Sequence, residues 1–95
     1  MQRLIFALLL LPLPCLGSDW TCAQIAEFHG LVALDRDRGV SLEARLERTK
    51  AAAEKVAPAD TAVLLKIVRN VYGSSIPPAK LKASVMQQCA GTVRV

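Results

Sequence analysis

Asp60-Thr-Ala-Val-Leu-Leu-Lys-Ile-Val-Arg-Asn-Val-Tyr-Gly73 is the stretch that decides the fold. At about 100° per residue, Leu64, Ile67, Val68, Val71 and Tyr72 fall on one face of a helix, with Val63 and Leu65 widening it. Only Ala62, Lys66, Arg69 and Asn70 are left for water. Asp60 stands at the N-cap position and Gly73 just past the end. So wide an apolar arc predicts the central helix of a small bundle, surrounded by three neighbours.

Working outward, Ala57-Pro-Ala-Asp60 separates this helix from one running from the cap residue Ser41 to about Val56. Its core stripe is Leu42, Leu46, Thr49, Ala53 and Val56. Glu43, Glu47 and Glu54 lie on one flank, Arg45, Arg48 and Lys55 on the other, a pattern suited to a solvated surface. On the C-terminal side, Ile76-Pro-Pro78 opens a last helix, prolines being tolerated in a first turn where the N–H would be unpaired anyway. Leu81, Val85 and Cys89 repeat every four residues along it, Met86 flanks them, and Gly91 is read as its cap. The first helix begins at a capping box, Thr21-Cys-Ala-Gln24, and ends at about Arg38, before Gly39. It directs Cys22, Ile25, Ala26, His29, Val32 and Ala33 inward. Phe28, Leu31 and Leu34 lie off that face, and Gly30 sits mid-helix at a cost of about 1 kcal/mol relative to Ala. Either a neighbouring helix crosses closely at Gly30 or this surface awaits a partner. The fold class expected is therefore all-α, a compact bundle of four short helices.

Residues 1–17 read as a cleaved signal peptide, and 18–95 as a single small helical domain. Arg3 supplies the positive n-region and Leu4 to Leu11 the apolar run, which is shorter than the roughly 20 residues of a membrane span. Membrane contact is thus expected only in transit, through the leader. Three cysteines in the full chain become two once Cys15 is removed. Cys22 and Cys89, near opposite ends of an exported chain, read as one disulfide joining the first and last helices. Location in the periplasm or outside the cell follows. A net charge of +4 without a dense basic stripe or nucleic-acid motif argues against nucleic acid as a partner.

Chemistry has few places to reside. His29 is the sole histidine, set on the inward side of its helix with no acidic or nucleophilic neighbour in register. In Asp35-Arg-Asp-Arg-Gly39 the two carboxylates point roughly 200° apart on a helix, so they are no hydrolase pair. Arg36 and Arg38 complement the helix dipole, and one residue of this run is expected to tie the corner to another element. Tyr72 should bury its ring and hand its hydroxyl to a partner. With no nucleophile elbow, phosphate loop, metal-ligand spacing or Cys-x-x-Cys, no catalytic residue, cofactor or metal ion is expected.

Cys-Ala-x-Ile-Ala from Cys22, Arg-Asp-Arg-Gly-Val from Arg36, Val-Tyr-Gly from Val71 and Gln-Gln-Cys-Ala from Gln87 together resemble small exported proteobacterial proteins of uncharacterised function. More loosely, a single disulfide in a four-helix periplasmic domain is similar to the acid-stress chaperones of that compartment, although the cysteine spacing and basic balance differ from theirs. The resemblance implies export and transfers no functional residue. The expectation is a non-catalytic helical protein that binds a protein partner or client, or forms a homodimer, with Phe28, Leu31 and Leu34 as candidate surface and His29, Tyr72, Arg36 and Arg38 as weaker candidates. A stress holdase is one alternative, a small enzyme or enzyme inhibitor another.

Overall fold

The computed structural model describes residues 20–93, with side chains from Trp20 to Cys89. The leader expected at 1–17 lies outside the described residues. Four α-helices form within them: α1 (Cys22–Asp37), α2 (Leu42–Val56), α3 (Thr61–Tyr72) and α4 (Pro78–Val93), with a single 3-10 turn at Pro58–Asp60 before α3. The disulfide between Cys22 and Cys89 joins α1 to α4.

Local chemistry sets most of the boundaries. Both bonds of the capping box are made: the Gln24 N–H donates to Thr21 Oγ1 and the Thr21 N–H to Gln24 Oε1. At the other end of α1, Gly39 adopts φ +88°. Its N–H donates to the Arg36 carbonyl and that of Val40 to the Asp35 carbonyl, the paired bonds of a Schellman ending. Ser41 caps α2 through the Ala44 N–H. Asp60 departs from expectation: its side chain makes no cap bond to α3 and instead accepts the Trp20 indole N–H at 2.9 Å. Gly91 lies inside α4, which continues to Val93. Glycine is tolerated within a helix at about 1 kcal/mol relative to Ala.

The core gathers Ala26, Val32 and Ala33 of α1, Ala53 of α2, Leu64, Ile67, Val68 and Val71 of α3, and Leu81 and Val85 of α4. Of the predicted face of α3, Leu64, Ile67, Val68 and Val71 are buried, while Val63, Leu65 and Tyr72 are half-buried. Its surroundings differ, however. α3 packs on α2 and on one side of α1, while α4 lies along another side of α1. The hub is thus α1, whose small residues Ala26, Gly30 and Ala33 admit neighbours closely. At Gly30 an added Cβ would stand 2.5 Å from Cδ and 2.6 Å from Cγ of Lys82. The Lys82 stem therefore crosses directly over the glycine and carries its Nζ to Glu27 at 3.1 Å. Val56, predicted as core, is 83% exposed. It is the last residue of α2 and lines an open groove instead of the core, which is the physical reason the stripe fails there.

Candidate functional site

Three elements meet at a groove of about 350 Å³. One wall is Trp20, just before α1, and Phe28 of α1. The other is α2 from Arg45 through Val56, with Leu64 of α3 below. The volume lies at the lower end of the roughly 300–1,000 Å³ of small-ligand sites. Apolar surface dominates the lining, and the polar groups concentrate at one end. There Asp35 Oδ2 accepts from Arg45 Nη1 at 2.8 Å and from Arg48 Nη1 at 3.2 Å. Arg45 also lies over the Phe28 ring, 5.6 Å from its centroid, within cation–π range. Two guanidinium groups thus share one carboxylate, and Arg48 is the outer, 59% exposed member. Thr49 contributes to the lining while only 5% exposed, and its Oγ1, like Arg45 Nε, has no hydrogen-bond partner.

The residues singled out from sequence are distributed rather than gathered. Phe28 is half-buried against the core and walls the groove; Leu34 is half-buried; Leu31 alone is exposed, at 48%. His29 is buried, with Nδ1 2.8 Å from the Ile25 carbonyl, so the nitrogen carries the proton that it donates. Desolvation lowers its pKa below 6.5, opposed by that bond. The Tyr72 hydroxyl donates to the Val40 carbonyl at 2.8 Å and holds the α1–α2 corner. Burial first, then the Asp35 charge, raises its pKa above 10, against the nearby arginines, which keeps the donor proton in place.

Arg36 ties the corner of α1 to another element, as anticipated for this run. Nη1 donates to the Val71 and Ser74 carbonyls at 3.1 and 2.9 Å, and Nη2 to the Ile76 carbonyl at 2.8 Å. The guanidinium therefore closes the end of α3, where helix carbonyls lack partners. It also pairs with Asp37. Its donors are used within the fold, whereas Arg38 is exposed at the α1 C-cap.

Trp20 and Thr49 were not among the candidates from sequence. Thr49 reads as core by periodicity, and Trp20 precedes the first helix, where no repeat speaks for it; a large amphipathic ring beside a helix start was the one available signal. Among the described residues no group of three or more His, Cys, Asp or Glu could hold a metal ion, and no helix is long and apolar enough to cross a membrane. No protein-family model, curated protein or solved structure matches this chain.

Proposed function

We propose that this is a non-catalytic exported protein, periplasmic or secreted, that acts by binding a protein partner through the groove beside α2. The observation that carries this reading is the groove itself: an apolar slot walled by Trp20 and Phe28 and bordered at one end by the Arg45 and Arg48 guanidinium groups. Concave apolar surface with a few polar groups at its edge is the usual form of a binding site. The leader read at 1–17 and the disulfide support export.

Ala52 lines the groove and is exposed, so Ala52→Phe fills the slot without entering the core. A discrete protein should be retained by the tagged native chain and lost from Ala52→Phe, whose circular dichroism stays native. Identical retention by both chains would refute the assignment.

A second reading, a holdase that opens in acid, is favoured by one observation: His29 is buried with a lowered pKa. Aggregation of a model client at acidic and neutral pH separates the readings, since absence of suppression at both pH values eliminates the holdase.

A further inference from the structure

Resting on the binding role proposed above, we infer that the groove receives an amphipathic helix with an acidic flank, supplied by a partner protein. Periodicity makes Leu42, Leu46, Thr49, Ala53 and Val56 one stripe of α2, but the bundle covers only part of it. Leu42 and Leu46 pack on the core, while Val56 is left exposed at the far end of the groove. From Arg45 to Val56 the lining follows α2 for about 16 Å at 1.5 Å per residue. Three helical turns of groove accept side-chain anchors spaced i, i+4, i+7 from a docking helix. Ala52, Ala53 and Ala57 permit close approach, and Trp20 and Phe28 give the anchors a broad apolar wall.

Charge selects the kind of helix. Arg45 and Arg48 converge on the single Asp35 carboxylate, leaving a formal excess of one positive charge at the rim. Lys55, also exposed, follows Arg48 by seven residues, and so lies within about 20° of it around the α2 axis. A helix in the groove would meet both cations along one edge, and carboxylates seven residues apart would answer them. The unsatisfied Thr49 Oγ1 offers a further polar contact from within the lining.

Trp20 is the only tryptophan in the chain, so its emission reports on the groove. The probes are two acetylated and amidated peptides as long as α2, free of Trp and Tyr. Both carry a leucine stripe, flanked by Glu in one and Lys in the other. The Glu peptide should shift Trp20 emission to the blue saturably at low salt, with the Lys peptide at least about tenfold weaker. Arg48→Glu with Lys55→Glu should invert that order; both side chains are exposed, and circular dichroism checks folding. The comparison on the native chain remains decisive if the variant unfolds. Equal binding of the two peptides overturns the inference, as does a response to decanoate with neither peptide bound, or a shift produced by raising the protein concentration alone. If Ala52→Phe abolishes partner retention while neither peptide binds, the binding role stands and the acidic helix falls.

Discussion

At the scale of single residues, the Arg36 guanidinium donates to three backbone carbonyls at and beyond the end of α3. A guanidinium offers five donors in a rigid fork, whereas an ammonium is a compact point charge, so Arg36→Lys cannot reach the Val71, Ser74 and Ile76 carbonyls together. We expect urea unfolding to show a loss of about 2–3 kcal/mol for Arg36→Lys, and a change within about 0.5 kcal/mol for Arg38→Ala at the exposed neighbour. Sequence indicated that this run ties a corner down, but could not distinguish positions 36 and 38. Arg36 stands in the last turn of α1 and Arg38 at its C-cap, and only the three-dimensional end of α3 selects between them. His29 makes a separate prediction. Its pKa is lowered in the folded state by burial, so the unfolded chain binds the proton more readily. The stability associated with neutral His29 is therefore complete above about pH 6.5 and declines as pH falls below it. Denaturation at pH 7.5 and 5.5 should show that decline in the native chain and a flatter profile in His29→Leu.

At the scale of elements, the informative comparison is between α3 and α1. A single broad apolar face made α3 legible: Leu64, Ile67, Val68 and Val71 are buried as periodicity required. α1 has apolar residues around much of its circumference, which reads equally as a partner surface or as a helix packed on several sides. The structure takes the second form over much of its length, with α4 on one side and α3 on another. Gly30 was the sequence signal for it, since a mid-helix glycine is compatible with a close crossing. The crossing object is the Lys82 stem, a flexible chain that can swing away. Gly30→Ala should therefore be close to neutral in the native background, helix propensity offsetting displacement of Lys82 and loss of the exposed Glu27 pair. In Lys82→Ala the same change should stabilise by about 0.5–1 kcal/mol. A double-mutant cycle by chemical denaturation measures that coupling; equal effects in both backgrounds would mean that the stem does not hold the glycine.

For the whole molecule, shape explains why a covalent link matters. The Cα positions span 32 × 30 × 17 Å, and helices with side chains are about 10 Å across, so the bundle is flattened and cannot enclose a deep core. α3 is fixed by α2, by α1 and by the Arg36 closure, whereas α4 depends chiefly on its pairing with α1. The disulfide joins residues 67 apart in sequence, at the start of α1 and toward the end of α4. In the chain-entropy description, a loop of this length stabilises by about 4 kcal/mol, comparable with what a small core supplies. Reduction, or paired Cys22→Ser and Cys89→Ser substitution, should lower urea stability by up to that amount. The loss should also be uneven. Hydrogen exchange should show α4 amides losing protection before those of α2 and α3, because α4 gives up its link while the α2–α3 pair keeps its contacts. A uniform fall in protection across all four helices would instead show that the flattened bundle opens as one unit, with the disulfide acting on the unfolded chain alone.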